Sequence, residues 1–209
     1  MQPAAERVYE LVKERIIDGT IDSTQMLSEA ALAAEVGVSR TPAHEAFLRL
    51  ELEGFLQLYP KRGALVVPIS PQEIREVSEA RLLVDAHSAE KICELGEAER
   101  GGIAKRLQEN IAAQDAALDA EDLREYTRLD AQFHQIIMDS AGNSLLANVG
   151  YQLRERQQRF TATAIGRNVA RARTFVDQHR TLADALRTGD LDAYLSTLDT
   201  HLTNSRNQL

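Results

Sequence analysis

The stretch that decides the fold runs from Gly37 to Leu56 and reads GVSRTPAHEAFLRLELEGFL. Gly37 ends an apolar helical segment, because glycine readily adopts the left-handed conformation that closes a helix. Pro42 lies in the first turn of the next helix, where proline is tolerated, and a hydroxyl at Ser39 or Thr41 can cap it. This pattern predicts the turn and second helix of a helix-turn-helix.

The new helix has one apolar side and one basic side. Phe47 and Leu50 are spaced for burial, which leaves Arg40, His44 and Arg49 for the other side. A short helix with a buried back and a basic leading end fits a DNA major groove. Because the same turn also occurs in proteins that never bind DNA, the turn alone leaves both possibilities open.

A basic hairpin follows the helix. Phe55 to Tyr59 and Ala64 to Pro68 are rich in aromatic and β-branched residues and predict two strands, with turn residues Pro60 to Gly63 between them. Beside a helix-turn-helix such a hairpin is a wing, and Arg62 at its tip can reach a minor groove or a phosphate. The candidate DNA-binding residues are Ser39, Arg40, Thr41, His44, Arg49, Lys61, Arg62 and Gly63.

At this point a family resemblance becomes specific. Residues 6–67 resemble the winged-helix domain of the GntR family of bacterial transcription regulators. The matching segments are Ile16 to Gly19, Leu27 to Ala33, Gly37 to Phe47, Gly54 and Arg62-Gly63. Two positions depart from the family: Ser23-Thr24 replaces the usual Pro-Gly, and His44 replaces an arginine that contacts DNA. The resemblance implies DNA binding, with an altered operator preference at His44.

Composition bounds the remaining possibilities. The chain has 209 residues and a net charge of −8, and its first seventy residues hold seven Lys/Arg against ten Asp/Glu. This acidic balance predicts a modest affinity for nonspecific DNA. We expect a dimer that reads a two-part DNA site. The single Cys93 excludes a disulfide within the chain and suits a reducing cytoplasm. Neither a membrane-spanning apolar run nor a signal peptide is apparent, so we expect a cytoplasmic protein.

The sequence predicts a mainly α protein with two domains. Residues 1–69 form the winged helix-turn-helix, and residues 70–209 form an all-α antiparallel bundle of about six helices. The resemblance to GntR regulators implies that this bundle serves effector binding and dimerisation. Pro71 occupies the first position of the first bundle helix. Apolar residues at helical spacing mark each helix, including Leu153 and Phe160 in the fourth, and no strand-like alternation appears.

Three histidines form the main candidate site in the bundle. His134, His179 and His201 fall on apolar stripes of three helices, and Asp130 shares a helix face with His134 four residues later. Three imidazoles and a carboxylate that converge inside a bundle predict a site for a divalent ion such as zinc, nickel or manganese. Each of these histidines could also be a hydrogen-bonded core residue, so the pattern alone leaves both readings open.

Residues 71–205 resemble the all-α FCD effector domain of FadR-type GntR regulators. Its metal-binding members carry an Asp-x-x-x-His motif followed by two further histidines, which match Asp130, His134, His179 and His201. The resemblance implies that a small carboxylate effector binds at the metal. Arg81 could add a bidentate hydrogen bond to this acid, or it could instead pair with Asp85, which stands where the family usually has Glu.

Two other classes of function remain open at the level of the sequence. The His/Asp cluster could serve a metal-dependent hydrolase, but no His-Glu-x-x-His motif, glycine-rich phosphate loop or recognisable nucleophile accompanies it. The bundle could instead be a metal-free structural dimer that carries a DNA-binding domain. The favoured interpretation is a ligand-responsive transcription regulator and not an enzyme.

Overall fold

The computed structural model of the chain describes residues 2–165 and 169–206, without the side chains of 160–165. Phe160, expected to anchor the fourth bundle helix, therefore has its side chain outside the described part. Within these residues the elements, in chain order, are α1 (Ala4–Ile17), β1 (Met26–Leu27), α2 (Glu29–Val36), α3 (Arg40–Leu52), β2 (Leu56–Tyr59), β3 (Gly63–Val66), α4 (Pro71–Cys93), α5 (Glu97–Asp119), α6 (Leu123–Ser140), α7 (Ser144–Ile165), α8 (Val169–Thr188) and α9 (Leu191–Arg206). The chain divides into two compact units, Met1–Ser70 and Pro71–Leu209.

The predicted helix-turn-helix is present as α2 and α3. The Ser28 hydroxyl caps α2 by accepting from the Ala31 amide at 3.4 Å. Gly37 ends α2 in the left-handed conformation, with φ at 71°, as its position predicted. Ser39 occupies the cap position of α3, but its hydroxyl accepts no capping hydrogen bond. The sharp turn therefore depends on the glycine backbone more than on a side-chain cap.

The wing is part of a three-stranded antiparallel sheet in the order β1-β3-β2. In the hairpin Tyr59 pairs with Gly63, so Pro60, Lys61 and Arg62 form its tip. The short strand β1 was not predicted, because two residues show no alternation and pair only where β3 offers a free edge. The predicted hairpin strands are confirmed with slightly different ends.

A core of its own stabilises the winged unit. Val8 and Val12 of α1 pack with Phe47 and Leu50 of α3, and all four are fully buried. Burial of side chains of this size contributes about 1.5–3 kcal/mol each. This apolar contact fixes which face of α3 remains accessible.

The second unit consists, in its described part, of the six helices α4–α9. Short connections reverse the chain between successive helices such as α5 and α6. Asp122 caps α6 and Asp190 caps α9, each by accepting a backbone N–H near 3.0 Å. Gly142 closes α6 at positive φ and Gly189 closes α8 in the same way. The mainly α fold class is therefore confirmed.

In the ranges that the structure describes, no helix is both long enough and apolar enough to span a bilayer.

Candidate metal centre and DNA-contacting surface

The predicted DNA-contacting residues cluster at the start of α3 and at the wing tip. Arg40 and Thr41 open α3 and are exposed, as is Ser39 before them. Lys61 and Arg62 are exposed at the tip of the hairpin. Neither these two side chains nor Arg40 forms an ion pair with any residue that the structure describes. The winged unit is acidic overall, yet it presents these cations without internal neutralisation.

His44 is tied to the preceding helix. Its Nδ1 lies 2.9 Å from Oε1 of Glu29, the first residue of α2, while 53% of the His44 side chain stays exposed. One ring nitrogen is therefore occupied within the domain, and Nε2 is the nitrogen left for a partner. Sequence spacing gave no sign of this contact, which joins residues fifteen positions apart.

Arg49 takes part in packing within the winged unit. Its guanidinium donates to Glu6 at 2.9 Å and to Glu53 at 3.3 Å, and it stacks 3.6 Å from the centre of the Tyr9 ring. Two carboxylates thus offset its charge, although 49% of the side chain stays exposed, and the contact of Arg49 with DNA stays a prediction. Gly63 is required by the backbone at this position. Its φ is 101°, and an added Cβ would clash with the Leu27 carbonyl oxygen.

In the helical unit the structure brings the four predicted metal ligands together. Asp130 and His134 come from α6, His179 from α8 and His201 from α9. One donor atom from each lies within 4.8 Å of all the others, and all four residues are buried. With an ion about 2.1 Å from each donor, tetrahedral donors lie about 3.4 Å apart and opposite donors about 4.2 Å apart, so the cluster must contract when an ion binds.

Two of the histidines are oriented by glutamine side chains. His179 Nδ1 lies 2.9 Å from Oε1 of Gln114 on α5, and His201 Nδ1 lies 2.9 Å from Oε1 of Gln178 on α8. An imidazole whose Nδ1–H donates presents Nε2 as the free lone pair. Sequence patterns gave no sign of either glutamine, because both contacts depend on how α8 packs against its neighbouring helices.

The histidines are held in their neutral, metal-binding form. Burial lowers the pKa of His134 and of His179 well below the usual value, and it lowers the pKa of His201 to about 3. The positive charge of Arg81 acts in the same direction on all three. Burial raises the pKa of Asp130 to about 6, although the positive charges of Arg81 and Arg154 oppose this rise. The cluster is therefore a set of neutral nitrogen donors beside one carboxyl.

Unpaired atoms indicate that the residues fit a bound cation. Both ring nitrogens of His134 and the Nε2 of His179 are buried without a hydrogen-bond partner among the described residues. Leaving a buried polar atom unpaired costs about 1–3 kcal/mol. Three imidazole nitrogens and a carboxylate oxygen are a donor set that suits zinc, nickel or manganese. A divalent cation would satisfy His179 Nε2 and one of the two ring nitrogens of His134.

Beside this cluster lies Arg81, only 1% exposed, on α4. Its Nη2 donates to Asp85 Oδ2 at 3.0 Å, while its Nε and Nη1 have no partner in the described part of the chain. Arg81 also lines a small cavity of about 10 Å³. The other residues that line this cavity are Ile74, Val77, Ser78, Gln157, Leu202, Ser205 and Arg206. Arg81 therefore keeps two buried donors unpaired among the residues that the structure describes.

The fold defines the class of protein: a winged-helix DNA-binding domain joined to an all-α domain with a buried polar centre. Residues 4–66 match the family model described as bacterial regulatory proteins, gntR family, and residues 76–204 match the model described as FCD domain. The chain belongs to the GntR family of bacterial transcription regulators, with an FCD domain at its C-terminal side. It is a transcription regulator and not an enzyme, as the names of the family and its relatives indicate.

Related transcription regulators match the sequence of this chain along most of its length. An HTH-type transcriptional regulator from an unstable DNA locus of Streptomyces ambofaciens is 30% identical over 196 residues, 93% of this chain and 80% of the relative. The gluconate operon transcriptional repressor of Bacillus licheniformis is 28% identical, covering 90% of this chain and 77% of its own. The solved structure of E. coli McbR/YncC shares the fold, with a TM-score of 0.82, 20% identity, and coverage of 97% and 95% of the two chains.

Proposed function

We propose that this regulator binds operator DNA through α3 and its wing, and that a small carboxylate controls this binding at a divalent metal centre. The observation that carries the proposal is the buried cluster of Asp130, His134, His179 and His201, with donor atoms within 4.8 Å of one another. We place the effector against Arg81, and we propose a homodimer acting in the cytoplasm, where its operator DNA lies.

The metal part of the proposal is supported by charge and by unpaired atoms. Neutral imidazoles offer lone pairs without competition from protons, because burial lowers the pKa of His134, His179 and His201. Four protein ligands leave one or two positions open on a five- or six-coordinate zinc, nickel or manganese ion. When bound, the ion would supply a positive charge and open positions for an acid.

The effector part is supported by Arg81. Its Nε and Nη1 are buried donors without a partner among the described residues. A carboxylate accepts two parallel N–H bonds from a guanidinium, and such charge-assisted bonds are about twice as strong as neutral ones. A small acid held by the metal on one side and by Arg81 on the other would satisfy both. One relative is the gluconate operon transcriptional repressor of Bacillus licheniformis, so sugar acids are reasonable first probes.

The DNA part is supported by the exposed cations. Arg40 lies at the start of α3, and Lys61 and Arg62 lie at the tip of the wing. A recognition helix contacts base edges with its N-terminal residues, while a basic loop contacts phosphate or the minor groove. Two such units in a dimer would read a two-part operator, and ligand binding would act by changing the population of dimer geometries.

The decisive experiment measures DNA affinity against acid and metal together. Operator DNA would be selected from a random duplex library with the purified full chain. Fluorescence anisotropy would then follow its binding during titration with gluconate, lactate, glycolate, dicarboxylates and aromatic acids, before and after metal removal by a chelator. We expect at least one acid to change the affinity by about 5–150-fold with metal present and not after its removal.

Three other outcomes would overturn parts of this proposal. A protein that enriches no DNA sequence would refute operator binding. A protein without bound metal, whose DNA affinity no acid changes, would indicate a structural bundle with core histidines. An acid response that survives chelation unchanged would refute the metal as the effector site.

A further inference from the structure

A chain of buried amides connects the backbone of α6 to His179. Asn110 Nδ2 donates to the Leu129 carbonyl oxygen at 3.2 Å, and Gln114 Nε2 donates to Asn110 Oδ1 at 2.6 Å. Gln114 Oε1 then lies 2.9 Å from His179 Nδ1. Asn110, Gln114 and His179 are at most 6% exposed, so water does not compete along this path.

The direction of every bond in this chain follows from its first member. A backbone carbonyl can only accept, so Asn110 must present its NH₂ to Leu129 and its oxygen to the other side. Gln114 must therefore give its own NH₂ to Asn110 and turn its oxygen towards His179. Because an amide oxygen can only accept, His179 must carry its hydrogen on Nδ1.

The consequence lies on the opposite edge of the ring. His179 Nε2 keeps its lone pair, has no hydrogen-bond partner among the described residues, and lies 3.5 Å from Asp130 Oδ1. The Phe133 ring stacks on the imidazole, with centroids 4.2 Å apart and planes 18° apart. The chain of buried amides, Asn110 and Gln114, which we call the relay, therefore sets the tautomer of His179. Stacking on Phe133 fixes the plane of the imidazole ring.

We infer that Asn110 and Gln114 are positioning residues that fix His179 in its Nδ1–H tautomer and so direct Nε2 towards Asp130, His134 and His201. The tautomer follows from the hydrogen bonds alone, whereas its role in metal binding rests on the proposed function. His201 has a glutamine partner of its own, Gln178, but within the described part of the chain no second amide donates to that residue. His179 is thus the ligand most firmly preset by its surroundings.

Long-range ¹H–¹⁵N NMR of the imidazole nitrogens in the metal-free full chain tests the tautomer directly. We expect wild-type His179 to be protonated on Nδ1. Gln114→Met keeps the side-chain length and removes the acceptor, so the Nε2–H form should gain population. Gln114→Glu loses the donor to Asn110 but keeps an acceptor oxygen for His179, so it should retain the Nδ1–H form, even if the Met variant folds poorly. Gln132→Met, an exposed glutamine on α6, is the matched control and should leave His179 unchanged.

Metal titration of the same proteins with zinc provides the second readout. Loss of such an outer hydrogen bond typically weakens metal binding 10–100-fold. We therefore expect about that loss in Gln114→Met and no loss in Gln114→Glu or Gln132→Met. An Nε2–H tautomer in the wild type, or one unchanged in Gln114→Met, would overturn the inference. A wild type with the expected tautomer that binds no zinc would refute the metal centre and leave the relay standing.

Discussion

Arg81 donates from Nη2 to Asp85 Oδ2 at 3.0 Å, and both side chains are 1% exposed. The pair uses only one of the buried guanidinium's donors, because Nε and Nη1 find no partner within the described residues. Pairing with Asp85 and contact with an effector are therefore not alternatives: one guanidinium can do both. Asp85 fixes Arg81 in place, and the free edge remains for an anion.

Replacing Arg81 should weaken the response to the acid effector. Arg81→Met keeps much of the side chain's bulk and removes two buried donors to the carboxylate. Hydrogen bonds to charged groups contribute about 1.5–3 kcal/mol. We therefore expect the acid concentration that half-saturates the change in DNA binding to rise about 10–100-fold. Arg75→Met changes an exposed arginine of the same helix and should behave as wild type. An unaltered response in Arg81→Met would remove Arg81 from the effector site.

Removing one imidazole should release the metal. In His179→Ala the ion would lose one of four protein ligands, and we expect elemental analysis to find a large loss from the metal content of the wild type. His87→Ala, which changes a partly exposed histidine on α4, should keep its metal. Circular dichroism would verify that the helices persist in both variants. Equal metal content in the two variants would refute the assigned centre.

Loss of wing charge should reduce the salt dependence of DNA binding. Lys61→Ala and Arg62→Ala each remove an exposed cation, and each should lower the slope of log affinity against log salt by about one unit if it contacts a phosphate. Arg15→Ala changes the net charge equally, but Arg15 pairs with Glu35 at 2.5 Å in the wild type. If the slope of log affinity against log salt were the same in all three variants, net charge and not the wing would control the salt dependence.

Glu53 should make the winged unit sensitive to acid. Burial raises the pKa of Glu53, but hydrogen bonds from Lys13 and Tyr9 outweigh it, so the folded pKa lies below the ordinary value of 4.5. A depressed carboxyl pKa stabilises the fold above its unfolded pKa, and this contribution is lost as the pH falls through the folded pKa. Acidification from neutral pH to below about 4 should therefore destabilise this unit.

Glu53→Gln tests that contribution. At neutral pH the variant leaves Lys13 without its carboxylate 2.7 Å away, which should lower the free energy of unfolding by about 1–3 kcal/mol. The difference between wild type and variant should shrink as the pH falls, because the wild-type carboxylate then becomes protonated. Amide hydrogen exchange of α1 and α3 in the full chain at neutral and acidic pH measures this. A difference that is constant with pH would contradict the assignment.

Much of the fold was predictable because it depends on local chemistry. Gly37 and Gly142 supply left-handed backbone where helices end, and Pro71 begins a helix where its missing N–H is harmless. Helical spacing of apolar residues predicted the bundle, since burial of one face is a local property of a helix. The strand β1 was missed because it depends on the free edge of β3, which no local pattern encodes.

The sequence by itself determined the class of protein, the helical bundle and the residue types of the candidate site, because glycine, proline and apolar spacing act within a few residues. Only the tertiary structure decided how each side chain is used. It neutralised Arg49 with Glu6 and Glu53, tied His44 to Glu29, and set His179 against Gln114. Glu53 follows Arg49 by four residues at the end of α3, but the other partners lie on other helices. Hydrogen bonds to those partners form only when packing brings the helices together.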